Sequence, residues 1–251
     1  MPGRFACLAC DARADRWSTR CGKCGAIETI TRGAELADRA PRSRPVLLST
    51  VAAIDPPRYT TGRAAWDLVL GGGVVAPSAI IVTGPPGVGK STKLLHVAGR
   101  LALELDGAAL FLSAEMPVAM VAAAARRIGA DLARIVAWEV SDVDEAAARI
   151  AHDRPRVVVW DSASVFRVGG ARGEQATESA ILRAIAAGRA VGAVSWIVLH
   201  VTKEGRPAGL HANLHHVDAD LRLARGKAGR PLCRVTKNRF GPAPLRAVDA
   251  D

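Results

Sequence analysis

From residue 79 to residue 200 the chain alternates between two hydrophobic rhythms. Short, nearly unbroken apolar runs at Ala79–Val82, Ala108–Ser113, Arg156–Trp160 and Val194–His200 are too brief for helices and read as buried strands. Between them the apolar residues recur at three- and four-residue spacing. From Lys90 this stripe comprises Leu94, Leu95, Val97, Ala98, Leu101, Ala102 and Leu105. A second helix is expected from Pro117, suited to a first helical position, through Met120 to Ile128. Ile135–Val140 predicts a short strand, Ser141 with Asp144 resembles a capping signal for a helix to His152, and Glu174–Val191 predicts another helix. Asp218–Leu223 and Leu232–Thr236 read as later strands. Strands alternating with helices predict an α/β fold whose mainly parallel sheet is covered on both faces.

Upstream the pattern is weaker. Trp66, Leu68, Val69 and Leu70 suggest a short packed helix ended by the glycines at 71 to 73. Arg32–Arg58, with Pro41, Pro45, Pro56 and Pro57 among scattered charges, reads as a linker containing an extended, strand-like patch at Val46–Ile54.

The stretch AIIVTGPPGVGKST, Ala79 to Thr92, carries the most specific chemistry. It reads as a strand, a glycine-rich turn and a helix opening, in the spacing G-x-x-x-x-G-K-[ST] of a phosphate-binding loop. Gly84, Gly87 and Gly89, with Pro85, Pro86 and Val88 between them, let the backbone curl so that its N–H groups point at phosphate oxygens. Lys90 is then placed for the β- and γ-phosphates, Ser91 offers a hydroxyl to Mg²⁺, and Thr92 continues the first helical turn. ATP and Mg²⁺ are the expected ligands.

Cys7, Cys10, Cys21 and Cys24 are spaced C-x2-C-x10-C-x2-C, two close thiolate pairs on tight knuckles that make a tetrahedral set for Zn²⁺. Two disulfides are the alternative, disfavoured where no export signal precedes them. A closed four-sulfur site has no open coordination position, so this zinc is expected to fold a ribbon and not to do chemistry. Cys233, in the run PLCRVTK, reads as a buried strand cysteine.

With 49% hydrophobic residues the 251-residue chain has ample core, and no apolar run approaches the roughly 18 residues of a membrane span. Met1–Cys10 has no apolar segment of a signal peptide, which makes the cytoplasm the default expectation and a membrane role an unexpected one. The formal charge of +10 suits an acidic polymer or a nucleotide as partner. It is locally concentrated: Arg222–Arg239 holds Arg222, Arg225, Lys227, Arg230, Arg234, Lys237 and Arg239 and no acid.

In an open parallel sheet ligands sit beyond the carboxyl ends of the strands, and each strand end here carries a polar residue suited to ATP chemistry. Asp161, closing VVVWD, reads as the carboxylate that holds the Mg²⁺ shell, with a helix cap as the alternative. Glu115, after LFLSA, is the candidate for orienting and deprotonating the attacking water; a first-turn acid complementing a helix dipole is the other reading. His200, Thr202 and Lys203 follow the third strand, where a polar group could sense the γ-phosphate, although surface polarity explains them as well.

These residues together resemble the bacterial RadA/Sms family of RecA-like branch-migration ATPases. The resemblance rests on the four-cysteine segment with Trp17, LGGGVV, the phosphate loop, HVTKEG (His200–Gly205) and KNRFG (Lys237–Gly241), and covers Phe5 to about Gly241. It implies a zinc ribbon at 1–30, a linker at 31–58 and a RecA-like ATPase core at 59–251. It further implies ATP hydrolysis on single-stranded DNA or recombination intermediates, a homo-oligomeric ring, possibly hexameric, a recombinase or helicase partner, and a short form without the family's Lon-protease-like C-terminal domain. Lys237 and Arg239 would lie at the subunit boundary and act on the neighbour's nucleotide. The chain departs from the family in Gly84-Pro85-Pro86-Gly87, in Ser113-Ala114-Glu115-Met116-Pro117, and after Asp161, where only Gln175 and Glu178 match a DNA-contacting loop by position. A nucleotide-switched adaptor or regulatory ATPase that binds a protein through the ribbon is the alternative function.

Overall fold

The computed structural model describes residues 5–7, 10, 12–27, 30–31, 46–51, 55–200, 215–226, 229–243 and 247–249. The chain divides into two compact units, Met1–Ile54 and Asp55–Asp251. In the first, β1 (Phe5–Cys7) lies between β2 (Arg13–Ala14) and β3 (Ile30–Thr31) in an antiparallel sheet. The expected extended patch at Val46–Ile54 is corrected at its centre. Leu48–Thr50 is a 3-10 turn, closed by the Thr50 amide and hydroxyl on the Leu47 carbonyl at 2.9 and 2.7 Å, a local bond that competes with pairing. Residues 52–54 lie outside the described residues.

The second unit begins with β4 (Arg58–Tyr59), α1 (Ala64–Val69) and β5 (Val74–Val75), the two strands forming an antiparallel pair. Then come β6 (Ser78–Gly84), α2 (Lys90–Glu104), β7 (Ala109–Ser113), α3 (Val118–Arg127), β8 (Ile135–Glu139), α4 (Val143–Asp153) and β9 (Val157–Asp161). The chain continues through α5 (Glu174–Val191), β10 (Val194–His200), β11 (Ala219–Arg225), β12 (Pro231–Asn238) and β13 (Val248–Asp249). These strands form one sheet in the order β13-β12-β11-β6-β10-β9-β7-β8, parallel from β11 to β8, with β12 and β13 added antiparallel.

Every residue of β6, β7 and β9 is buried, as expected of central parallel strands covered on both sides, whereas β8 at the edge is not. Successive side chains point to opposite faces. Ile80, Val82, Phe111, Val159 and Trp196 pack with α1, α2 and α3, where Trp66 lies against Trp196 at 5.6 Å; Ala79, Ile81, Leu112, Trp160 and Ile197 pack with α4 and α5. The α4 cap differs from expectation. Asp142 accepts from the amides of Asp144 and Glu145 at 2.9 and 3.1 Å, while the Ser141 hydroxyl accepts instead from Arg167 Nη2 at 2.9 Å. Pro117 is the N-cap of α3, one position before the first turn, because its ψ of 145° is extended.

The topology decides where chemistry can occur. β6, β7, β9 and β10 all end at the same edge, and there the chain presents Gly84, Glu115, Asp161 and His200. The β11–β12 hairpin turns at that edge and carries Lys237 and Arg239 back to the opposite one.

Candidate nucleotide site and four-cysteine centre

β6 passes into the loop at Gly84 with φ of 155°, and a Cβ there would stand 2.6 Å from the Leu223 carbonyl oxygen of β11, so only glycine allows the strands this approach. Gly89, at φ 89°, is the N-cap of α2 and turns the chain into the helix. Lys90, the first helical residue, is 6% exposed, and its Nζ donates to the Gly84 and Pro85 carbonyls at 2.7 and 3.2 Å. Burial pulls its ammonium below the usual lysine range, opposed by the charges of Asp161 and Glu115. Those two acids therefore face the lysine although they lie on different strand ends.

Asp161 is also buried. Burial pushes its carboxyl above the ordinary range, while a hydrogen bond from Ser91 works the other way. Hydroxyl and carboxylate are thus adjacent, a hard-oxygen pair of the kind Mg²⁺ takes while keeping waters. Glu115 Oε1 accepts from Ser162 Oγ at 2.6 Å and stands 2.8 Å from His200 Nε2. The His200 hydrogen bond, assisted by that from Ser162 and by the His200 and Lys90 charges, holds the Glu115 carboxyl below its usual range against some desolvation. The loop itself is braced from β11, where Arg225 Nη2 donates to the Gly87 carbonyl at 3.2 Å. Lys90, Ser91, Asp161, Glu115 and His200 are brought together; Thr202 and Lys203 lie outside the described residues.

Lys237 and Arg239 stand apart from this group. Arg239 Nη1 donates to Asp218 Oδ1 at 2.8 Å; Asp218 is buried, and its Oδ2 also accepts from the Ala79 amide at 2.9 Å and from Arg189 Nη2 at 3.2 Å. Lys237 Nζ reaches the His215 carbonyl at 3.3 Å, and burial, then the Arg239 charge, lower it relative to an ordinary lysine. Both cations belong to the edge where β6 begins. Gln175 and Glu178 are in the first turns of α5, on a helix and not in a loop. Cys233 is fully buried in β12, and burial pushes its thiol up to about 11, which suits a packing residue.

In the first unit, the Sγ atoms of Cys7, Cys10, Cys21 and Cys24 lie within 4.8 Å of one another. Cys7 to Cys24 is 3.7 Å and Cys10 to Cys21 is 3.8 Å, far beyond a disulfide bond and close to the edge of about 3.8 Å of a tetrahedron with Zn–S near 2.3 Å. The second knuckle is closed by Gly25 N–H on the Cys21 carbonyl at 2.9 Å, and the Lys23 amide points at Cys21 Sγ at 3.4 Å. The donor set fits zinc.

Sequence reasoning missed Ser162, Arg225, Asp218 and Arg189. The basic run from Arg222 was visible, but nothing local marks Asp218 as the partner of an arginine 29 residues before it and another 21 residues after it.

A phosphate loop at the end of a central parallel strand, with acids at the ends of two further parallel strands of the same sheet, defines a RecA-like P-loop ATPase fold, and the chain belongs to the AAA domain family, which matches residues 44–206. Among solved structures, a KaiC-like protein from Pyrococcus horikoshii OT3 superposes with a TM-score of 0.65 at 15% identity, covering 76% of this chain and 93% of its own. The particular relatives are proteins named DNA repair protein RadA: that of Pseudomonas aeruginosa is 32% identical over 94% of this chain, that of Mycolicibacterium smegmatis 34% over 96%, and that of Bacillus subtilis 30% over 95%. The RadA/Sms resemblance is borne out by these relatives. The chain spans 55 to 56% of the length of those three proteins. Among the described residues no helix is long and apolar enough to cross a membrane.

Proposed function

We propose that this protein is an ATP-hydrolysing, single-stranded-DNA-binding ATPase of recombination and DNA repair. The observation that carries the reading is the convergence of Lys90, Ser91, Asp161 and Glu115, from three strand ends, on one phosphate loop. The backbone of Gly84–Thr92 would cradle the triphosphate, with Lys90 exchanging its loop carbonyls for phosphate oxygens. Mg²⁺, held through Ser91 and Asp161, would neutralise charge on the transferring phosphoryl group. Glu115, kept ionised and oriented by Ser162 and His200, accepts the proton of the water that attacks the γ-phosphorus as the bond to ADP breaks.

Lys237 and Arg239 complete the site of a neighbouring copy in a ring. Their position at the sheet edge opposite the loop supports this, since they cannot serve their own nucleotide. The ribbon at 1–30 binds zinc through Cys7, Cys10, Cys21 and Cys24, the linker is 31–58, and the ATPase core is 59–251; the protein works in the cytoplasm with a recombinase or helicase. ATP hydrolysis measured with and without single-stranded DNA tests the reading: strong stimulation is expected, and tight ATP binding without turnover in either condition assigns the chain to nucleotide-switched adaptors instead.

A further inference from the structure

The stretch Lys237–Gly241 holds three residues, Asn238, Phe240 and Gly241, to which the nucleotide chemistry gives no task. Arg58, at the start of β4, ties them to the bend that follows α1. Its Nη1 donates to the Leu70 and Gly73 carbonyls at 3.1 and 3.3 Å, and its Nη2 donates to the carbonyl of Phe240, 182 residues away in sequence. Leu70 is the C-cap of α1, and its carbonyl, beyond the helix's own amides, also accepts from Asn238 Nδ2 at 3.1 Å. Asn238 Oδ1 in turn accepts from the Phe240 amide at 3.1 Å. Both neighbours of Arg239 are thereby fixed to one bend, Asn238 directly and Phe240 through Arg58. Gly241 leaves room for the junction: a Cβ there would stand 3.2 Å from Asn238 Nδ2 and 3.6 Å from Arg58 Nη2.

This arrangement suits a clasp and not a ligand site. The space enclosed between Arg58, Gly73, Asp218 and Phe240 is about 10 Å³, no more than one water requires. A guanidinium is planar and permanently charged, so its two terminal nitrogens face two chain segments at a fixed separation, which the single ammonium of a lysine cannot do. Hydrogen bonds from such a charged donor are also among the stronger ones. β4 holds the Arg58 backbone by its pairing with β5, Arg58 opposite Val75, so the clasp is anchored independently of β12. The amide of Arg239 is itself held by the Asp218 carbonyl at 2.7 Å. The turn is therefore pinned to the sheet on one side and to the α1 bend on the other.

We propose that Arg58 is a positioning residue for Arg239: it fixes the turn from which Arg239 reaches the nucleotide of a second copy. The proposal rests on the reading that Arg239 acts in trans and adds what sets its aim. A cation that stabilises transition-state charge must be placed closely, and a misplacement of about 1 Å can cost about 10²-fold in rate.

The test places Arg58→Ala on one side of the interface at a time, in equal mixtures of full chains assayed for phosphate release with Mg²⁺, ATP and single-stranded DNA. The reference mixture is Lys90→Ala with Arg239→Ala, in which only the Lys90→Ala chains supply the arginine. Adding Arg58→Ala to the Lys90→Ala chain is expected to lower the recovered rate by about ten- to hundredfold with the KM for ATP unchanged, whereas adding it to the Arg239→Ala chain should leave the rate within about twofold. Arg58→Lys on the arginine-supplying chain keeps the charge without the fork; it should also lose most of the rate, and it guards against a folding defect in the alanine variant. Equal losses on both sides mark a purely structural role and overturn the proposal, as does an undiminished rate on both; in either case the action of Arg239 in trans stands. A reference mixture that recovers no turnover, with co-assembly shown by light scattering, overturns that action and the positioning role with it.

Discussion

Arg239→Ala tests whether a neighbouring copy completes the nucleotide site. The Arg239 amide bonds to the Asp218 carbonyl, and Asp218 N–H to that of Ala79, so Arg239 is level with the start of β6. From Ala79 to Gly84 is five residues of strand, about 17 Å at the usual rise. An arginine side chain spans about 7 Å by its covalent geometry, which leaves its own loop about 10 Å out of reach. Any contribution to turnover must come from a second copy. An arginine supplied in this way is worth about 10³ to 10⁵ in rate, so Arg239→Ala should lower kcat by about 10³ while the loop keeps its nucleotide affinity. Asp218 is not left unpaired when Arg239 swings away, because Arg189 remains on it.

The assay is phosphate release from mixtures. In a ring the contacts are head-to-tail, so each working interface needs an intact loop from one copy and an intact arginine from the next. In an equal, random mixture of Lys90→Ala and Arg239→Ala chains, half the copies have the loop and half of their neighbours the arginine. About one quarter of the interfaces are then complete, and about one quarter of the wild-type rate is expected from two variants that are each inactive alone. No recovery at any ratio, with co-assembly demonstrated by light scattering, refutes the reasoning. Intact basal turnover with a salt-sensitive loss of DNA binding assigns Arg239 to DNA phosphates instead.

Chelation of the four-cysteine centre should unfold the first unit alone, because its thiolates carry most of its folding energy while the second has its own core; about one zinc per chain by elemental analysis and unchanged ADP affinity after chelation are the readouts. Lys90→Ala should abolish nucleotide binding or turnover, whereas Glu115→Gln should retain ATP and block hydrolysis; parent-rate turnover in Glu115→Gln makes Glu115 a helix-terminus acid. Asp161→Asn should raise the nucleotide-free Tm at pH 7.5. Because burial raises the folded-state pKa of Asp161 above its unfolded value, the wild-type carboxylate is destabilising at neutral pH and regains stability as the pH falls through that pKa, so the Tm difference should shrink on acidification.

What was legible in the sequence was local. A phosphate loop needs its glycines, Lys90 and Ser91 in one contiguous stretch, so spacing alone reveals it, and the fully buried strands β7 and β9 announce themselves as apolar runs of the right length. Two C-x2-C pairs are equally local. Competition between neighbours was not legible: Ser141 and Asp142 both suit a helix cap, and only the presence of Arg167, brought beside Ser141 by the fold, gives the cap to Asp142. Pairings across the sheet were less so. Glu115 and His200 are 85 residues apart and meet because β7 and β10 end at one edge, and Asp218 gathers Arg189 and Arg239 because α5 and β12 both finish near the start of β11.

Those pairings give the site its character. Lys90 rests on loop carbonyls, Asp161 on Ser91, Glu115 on Ser162 and His200, and Arg239 on Asp218. Each of these ionisable groups is held by a partner of its own, so ligand binding exchanges hydrogen bonds and does not simply add them, and the net gain per contact is the modest one of such exchanges. Buried as they are, Lys90 and Asp161 would be strongly disfavoured as isolated charges, and their proximity lets each lower the other's penalty. The same geometry separates two tasks. Groups that would act on bound phosphates are fixed at one edge of the sheet, while the arginine that would act on a second copy is fixed at the other, and the buried Asp218 carboxylate, anchored to the Ala79 amide near the start of β6, holds it there.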